Sequence, residues 1–264
     1  MDPMSDSSPP TEHRDRVRLY RTEAVVLRRR DLGEADRLLT LFTQQYGKLR
    51  VVAKGSRKTK SRLAGHLEPF SRTLILLARG RNLDIVTQAD LLNPFRVLRQ
   101  DETRIAYAGY LADLLDALTA EEQENHAAFD LLLGSLDRLD TGARPFVTAR
   151  HFELRLLGIL GFRPELRRCV ACEQPLVPVE NVFSAAAGGI LCPACRAADP
   201  RALPVTVNAL KFLRLLEQDD LPTADRLRLS DTLRAELEDV MQVYIRHLLE
   251  RELPSFAVLK TLAT

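Results

Sequence analysis

Apolar and polar residues alternate over short runs in the first third of the chain. Five such runs occupy residues 20–27, 37–43, 48–53, about 69–79 and 82–89, and a Gly80-Arg81-Asn82 turn joins the last two. Alternation with a period of two is typical of β-strands, and little helical repeat lies between the runs. Five strands within some 70 residues predict a small closed barrel, and the OB-fold is a five-stranded barrel of this size.

Beyond the Asn93-Pro94 break, apolar residues recur every three or four positions, which is the spacing of one face of an α-helix. A third helix is expected from Pro145 to Gly161, and a long one from Ser230 to Glu252, with Pro254 as its stop. The rest of the chain is therefore predicted to be mainly helical. The first two helical stripes are Ile105, Ala108, Leu111, Leu114, Leu115 and Leu118, then Ala128, Leu131, Leu132, Leu136 and Leu139.

The four cysteines of the chain form two C-x2-C pairs separated by nineteen residues: Cys169 with Cys172, and Cys192 with Cys195. This is the spacing at which four thiolates close a tetrahedron around one zinc ion. Four sulfurs leave no open position on the metal, so the predicted site is structural. Two disulfides or free thiols are the alternative. A thioredoxin-like motif would need a βαβ context, which neither pair has.

These patterns predict an α+β multidomain protein. Its parts are a disordered leader at 1–16, an OB-fold DNA-binding domain at 17–92, a helical domain at 93–166 and 200–264, and a four-cysteine zinc-finger insertion at 167–199. No apolar run approaches the 18 or so residues that a membrane helix needs, and residues 1–16 lack a signal-peptide centre. Thiols gathered in a metal site agree with a reducing compartment, so we expect a cytoplasmic protein.

Charge is segregated along the chain, although the net charge is only +2. Residues 17–80 contain fifteen Lys or Arg and five Asp or Glu, a local charge of +10 that leaves −8 on the remainder. A basic module joined to an acidic one predicts binding of a polyanion by the basic module.

Seven cations without an intervening acid begin in the third predicted strand and continue beyond it: Lys48, Arg50, Lys54, Arg57, Lys58, Lys60 and Arg62. Alternation places Lys48 and Arg50 on the solvent side of the barrel. The residues beyond Ala53 are too polar for a core and predict a mobile basic loop. The alternative is an ordinary solvated charge run. We favour DNA binding, because nucleic-acid-binding barrels use neighbouring strands and loops.

Other hairpin loops add cations to this predicted DNA-binding surface, namely Arg28, Arg29, Arg30, Arg79 and Arg81. Aromatic side chains, on which the bases of single strands stack, are few in this part of the chain. Those present are more readily explained as core residues: Tyr20, Phe42, Tyr46 and Phe70.

Enzymatic alternatives are weak. His151-Phe152-Glu153 upstream of a C-x-x-C is similar to the signature of zinc deaminases, but no proline precedes Cys169 or Cys192 and a second cysteine pair is left over. The chain has neither G-x-x-x-x-G-K-[ST] nor G-x-G-x-x-G, so no nucleotide cofactor is expected. We therefore expect a protein that is not an enzyme.

An ordered set of motifs resembles the bacterial RecO family from about residue 19 to 262. Glu173 departs from the glycine that many members have after the second cysteine. The set comprises a strand at 22–27, Gly33-Glu34-x-Asp36, Tyr46-Gly47-Lys48, Ala53-Lys54-Gly55, Leu67-Glu68-Pro69-Phe70, the segment 156–162 and Gly188-Gly189.

The resemblance implies an OB-fold, a helical domain with an inserted zinc finger, and a non-enzymatic recombination mediator. Such a protein binds single- and double-stranded DNA, anneals complementary strands, partners RecR, contacts SSB and helps RecA to load on SSB-coated DNA near the nucleoid. An SSB site would need an apolar pocket with nearby cations, for which Arg144, Arg150 and Arg155 are candidates. A zinc-containing transcription or ribosome-associated protein is the competing class, and strand annealing would separate the two.

Overall fold

The structure is a computed structural model that describes residues 19–59 and 61–262. The predicted leader at 1–16 lies outside the described residues, and so does Lys60. The described chain has a five-stranded N-terminal unit followed by a helical region that contains a small second sheet. The predicted α+β class is confirmed.

The five N-terminal strands are β1 (Leu19–Leu32), β2 (Asp36–Thr43), β3 (Gly47–Ala53), β4 (Arg72–Ala78) and β5 (Asp84–Asn93). They pair in the order β1-β2-β3-β5-β4, and β4 pairs back to β1, so the sheet closes into a barrel. Only the β3–β5 pairing is parallel among these ladders. Strand alternation points one set of side chains inward, and residues such as Leu41, Val51, Ile75 and Leu77 are fully buried there.

Strand β1 extends five residues beyond the end that the alternation predicts. Its first half pairs with β4 and its second half with β2, with an irregularity between Val26 and Arg28. The polar residues Arg28–Asp31 therefore still belong to a strand, because their backbone completes the β2 ladder while their side chains stay partly or fully exposed.

Seven α-helices follow in the described chain: α1 (Glu102–Leu118), α2 (His126–Asp140), α3 (Pro145–Ile159), α4 (Val207–Glu217), α5 (Leu221–Arg226), α6 (Asp231–Leu249) and α7 (Pro254–Leu262). Side chains of Asp101, Asn125 and Ser230 accept hydrogen bonds from backbone N–H groups at the starts of α1, α2 and α6, as N-cap residues do. The predicted apolar stripes form the shared core of this region. Helix α3 ends at Ile159, before Gly161, whose φ of 84° turns the chain back.

A three-stranded antiparallel sheet lies between α3 and α4. Its strands β6 (Asn181–Ser184), β7 (Gly189–Leu191) and β8 (Leu203–Val205) are ordered β7-β6-β8. Phe183 of β6 packs edge-on against Tyr244 of α6, with ring centroids 5.4 Å apart. At Gly189, a Cβ would lie 2.6 Å from the carbonyl oxygen of Glu165, so this close approach requires glycine. The small sheet is thus fixed to the helical core.

The barrel is docked on the helical region through the start of β3 and the loop after α1. The backbone N–H of Glu122 donates to the carbonyl of Lys48 at 2.9 Å. Gly47 has a φ of 62°, and a Cβ at this position would lie 1.8 Å from the carbonyl oxygen of Gln123. Among the described residues, no helix has the length and apolarity needed to cross a membrane.

Candidate metal centre and nucleic-acid interface

The four cysteine sulfurs converge at one edge of the small sheet. Their Sγ atoms all lie within 4.8 Å of one another, and those of Cys172 and Cys192 are 3.9 Å apart. Zn–S bonds of about 2.3 Å in a tetrahedron place the sulfurs about 3.8 Å apart, so the arrangement fits such an ion. None of the four cysteines forms a disulfide bond in the structure. Their close approach means that the four residues could hold a metal ion.

Two tight turns present the sulfurs. In the first, the N–H of Glu173 donates to the carbonyl of Cys169 at 2.8 Å, and in the second the N–H of Cys195 donates to that of Cys192 at 2.9 Å. The N–H of Val170 donates to the carbonyl of Ile190 in β7, which ties the first turn to the sheet. Glu173 has a φ of 60°, a left-handed conformation that strains any residue except glycine.

The local environment separates the acidities of two of these thiols. Burial opposes ionisation of Cys169, but N–H groups of Cys192, Cys172 and Ala171 donate to its sulfur, and its pKa falls to about 6. Hydrogen bonds with the sulfurs of Cys192 and Cys172 raise the pKa of Cys195 to about 12. An ion that binds four thiolates must therefore displace protons, which makes its affinity depend on pH.

The basic loop, defined here as residues 54–62, is anchored on the turn between β1 and β2. The N–H of Gly55 donates to Asp36 Oδ1 at 2.7 Å, and Arg57 Nη1 donates to the Gly33 carbonyl at 2.9 Å. Lys54, Lys58 and Arg62 are exposed and have no ion-pair partner within the described chain. Three predicted cations are thus available to an external anion, while Arg57 helps to hold the loop.

The prediction that Lys48 faces solvent is wrong. The residue is 8% exposed, and its Nζ donates to the carbonyls of Asp116 and Thr119, each at 2.6 Å, while lying 3.1 Å from Asp116 Oδ1. The end of α1 covers this position, although the strand alternation points it away from the barrel core. Arg50 does reach the surface, where its Nε pairs with Glu121 Oε1 at 2.7 Å.

Arg79 and Arg81, both exposed, lie apart from the basic loop. Arg79 stacks over the ring of Tyr20, 4.2 Å from its centroid, and Tyr20 packs edge-on against Tyr46. Tyr46 follows the end of β2, whereas the basic loop contacts the turn before β2, and the eight residues of this strand span about 23 Å. Arg79 and its neighbour Arg81 therefore lie at the opposite end of β2 from the basic loop. Burial, with the Asp84 hydrogen bond, raises the pKa of Tyr20.

Sequence reasoning missed a cavity of about 190 Å³ between the outer face of the barrel and α1. The opposed charges of its lining are separated by up to about 90 residues along the chain, so no local pattern could have shown their proximity. The cavity is lined by Arg28, Arg30, Leu38, Thr40, Arg50, Asp116 and Glu121.

The three arginines considered for an SSB contact have different environments. Arg150 is 1% exposed and pairs with the buried Glu153, so its expected place at a surface pocket is wrong. Arg144 lines a cavity of about 180 Å³ together with Arg234 and the apolar residues Tyr107, Phe146 and Leu259. Arg155 lines another, of about 150 Å³, with Arg163.

His151 and Glu153, the polar residues of the His151-Phe152-Glu153 motif that is similar to the deaminase signature, form hydrogen bonds with residues other than the four cysteines. His151 Nε2 lies 2.6 Å from Asp219 Oδ1, and Glu153 contacts Arg150 and Tyr110. Across the described residues, the cluster of four cysteines includes no histidine or carboxylate ligand. This alternative has no support in the structure.

Comparison with known proteins adds an independent observation. Residues 17–95 match the family described as Recombination protein O N terminal, and residues 99–256 match Recombination protein O C terminal. A protein of Roseiflexus sp. (strain RS-1), named DNA repair protein RecO, is 50% identical over 92% of this chain and 86% of its own length. A protein of the same name from Desulforudis audaxviator (strain MP104C) is 41% identical over 92% of this chain and 97% of its own.

Proposed function

The chain belongs to the RecO family of DNA repair proteins, and from that premise we propose that it is a non-enzymatic recombination mediator. In this role it binds single- and double-stranded DNA, anneals complementary strands, and works with RecR to load RecA on SSB-coated single strands. The observation that carries the proposal is the match over residues 17–95 and 99–256, together with the exposed cations of the basic loop.

We propose that the N-terminal barrel is an OB-fold domain spanning residues 17–92 and that this domain binds DNA. Closure of five strands with a basic loop at one end suits a polyanion, because Lys54, Lys58 and Arg62 are exposed and have no ion-pair partner within the described chain. Lys54, Lys58, Lys60 and Arg62 are the proposed phosphate contacts in this loop, and Arg50, Arg79 and Arg81 lie elsewhere on the barrel. Lys48 is left out, because its ammonium group is buried in the domain interface.

The cysteine cluster is proposed to hold one structural zinc ion, bound by Cys169, Cys172, Cys192 and Cys195, in an insertion at 167–199. Four sulfurs at tetrahedral spacing support it. When bound, zinc would link the two turns through its four sulfur ligands and supply no catalytic water. The helical domain is proposed to span 93–166 and 200–264, and the protein to act in the cytoplasm, associated with the nucleoid.

The SSB contact is proposed at the cavity that Arg144 and Arg234 share with Tyr107, Phe146 and Leu259, since it combines cations with an apolar wall. An acidic tail with an aromatic end would satisfy both parts of this lining. Charge reversal at Arg234 is expected to weaken SSB binding while DNA binding to the barrel is retained.

The test is an annealing assay with fluorescently labelled complementary strands coated with SSB, without nucleotide. The proposal predicts that this protein accelerates pairing, and that RecR with RecA then yields filaments on the coated strand. A protein that binds DNA but leaves the pairing rate unchanged would contradict the mediator function and favour another class of DNA-binding protein.

A further inference from the structure

A row of polar side chains crosses the outer face of the barrel inside the 190 Å³ cavity. Arg28 of β1 pairs in register with Thr40 of β2, which pairs in turn with Arg50 of β3. Neighbouring strands are about 4.8 Å apart, so the two arginines flank the threonine hydroxyl with about 10 Å between their Cα atoms. We call these three residues the barrel row. Two guanidinium groups on either side of a hydroxyl form a suitable cradle for a phosphate.

Carboxylates from the end of α1 and the segment after it already bind this row. Arg28 donates to Asp113 Oδ1 from Nη2 at 2.7 Å and from Nε at 3.1 Å, and Arg50 Nε pairs with Glu121 Oε1 at 2.7 Å. Arg28 Nε also lies 3.6 Å from Asp116 Oδ2, but the charge of this carboxylate is already balanced by Lys48 Nζ at 3.1 Å. Each carboxylate oxygen thus stands where a phosphate oxygen would make the same charge-assisted hydrogen bond.

A phosphate can replace the carboxylates of the Arg28–Asp113 and Arg50–Glu121 pairs at little cost in stability. The nearby Lys48–Asp116 pair is different, because it is more deeply buried. The side chains of Arg50 and Glu121 are 53% and 46% exposed, and those of Arg28 and Asp113 are 34% and 18% exposed. Pairs that water reaches contribute little to stability. Lys48 is buried and bound to two carbonyls as well, so it can keep the domains together while the outer pairs open.

The barrel row is also continuous with the basic loop. Arg30 lines the same cavity, is exposed and has no ion-pair partner among the residues that the structure describes. The next residue, Asp31, lies 3.5 Å from Arg57 Nη2 of the basic loop. A nucleic-acid backbone on the loop could therefore continue along the outer face of β1 to β3.

We propose that the barrel row is a phosphodiester-binding subsite, and that Asp113 and Glu121 are internal competitors that a nucleic-acid backbone displaces. The proposal rests on the proposed DNA-binding function and adds its regulation. In the protein without DNA, Asp113 and Glu121 neutralise the two arginines of the barrel row. Only a DNA strand that extends beyond the basic loop therefore gains the additional contacts with this row.

The test uses the full chain with Asp113→Asn and Glu121→Gln together, and measures anisotropy of a labelled oligothymidylate over a range of salt concentrations. Each phosphate contact on a single strand adds about 0.7 to the salt slope, which is roughly fivefold in affinity at 0.1 M salt. Two released contacts therefore predict about 25-fold tighter binding and a slope steeper by about 1.4. Replacing Arg28 and Arg50 by Gln in this variant should remove the gain.

The matched control is Asp225→Asn with Glu252→Gln, which removes two charges from the Arg138 and Arg246 pairs of the helical region. It should leave the slope unchanged. An equal gain in DNA affinity in both double variants would mean that the change in net charge alone strengthens binding. No gain in the Asp113→Asn, Glu121→Gln variant would exclude competition between these carboxylates and DNA phosphates. Either result overturns the inference while DNA binding by the unaltered protein stands. If the unaltered protein shows no salt-dependent DNA binding, the proposed function itself fails.

Discussion

Replacing Lys48 by Met tests the proposal that this residue holds the barrel to the helical region and does not contact DNA. The substitution keeps the length of the apolar stem but removes the ammonium group from two carbonyl oxygens at 2.6 Å and a carboxylate oxygen at 3.1 Å. Removing one partner of a buried ion pair costs about 3–5 kcal/mol. Because the side chain of Asp116 is 23% exposed and keeps some water, we expect the lower end, about 3 kcal/mol.

The assay is thermal or urea unfolding of Lys48→Met beside Arg50→Met, two residues apart on the same strand. At about 2–4 °C per kcal/mol for a chain of this size, the first should lower Tm by roughly 6–12 °C. The second removes an exposed pair and should cost less than about 1 kcal/mol. Below its Tm, Lys48→Met should bind DNA as the unaltered protein does. An unchanged Tm together with weaker DNA binding would refute the reasoning.

Three further predictions concern the cysteine turns and the helical core. The purified protein should carry one zinc ion per chain, with a binding free energy of about 10–16 kcal/mol. Mass spectrometry of Cys172→Ser should show that the zinc is lost while DNA affinity persists. A Cys172→Ser protein that keeps the metal would contradict this prediction. Glu173→Gly should relieve the φ of 60° and raise the stability of the zinc-loaded protein by about 1 kcal/mol in urea unfolding. Burial lowers the pKa of His151 below its ordinary 6.5. As pH falls below about 6.5, the unfolded chain takes up the proton before the folded protein does, so the folded protein loses stability and Tm falls. The His151→Gln variant should show a smaller fall in Tm over this pH range.

The five barrel strands and the longer helices were predictable because their signals are local, whereas the three short strands of the second sheet were not predicted. Alternating residues in β2 and β4, and the stripe from Ala108 to Leu115, are read from neighbouring positions along the chain. The cysteine cluster was predictable too, since the C-x2-C spacing constrains which sulfurs can meet one ion.

The surface that each cation occupies was not predictable, because it depends on distant parts of the chain. Lys48 and Arg50 have the same strand parity, but α1 covers only Lys48. Arg28 pairs with Asp113, which is 85 residues away along the chain. Counting charges among neighbouring residues therefore cannot show that Arg28 is neutralised. Local charge indicated a basic module and could not separate its free cations from its paired ones.

The most direct test of the account is the salt dependence of single-stranded DNA binding after charge reversal in the basic loop. Lys54, Lys58 and Arg62 changed together to Glu should reduce the salt slope by about 2 and weaken binding roughly 100-fold at 0.1 M salt, because three phosphate contacts are lost. Zinc content and folding should be unchanged. The matched control reverses Lys211, Arg226 and Arg228, three exposed cations of the helical region. If the control loses DNA binding while the loop variant keeps it, the DNA-binding surface is not on the barrel.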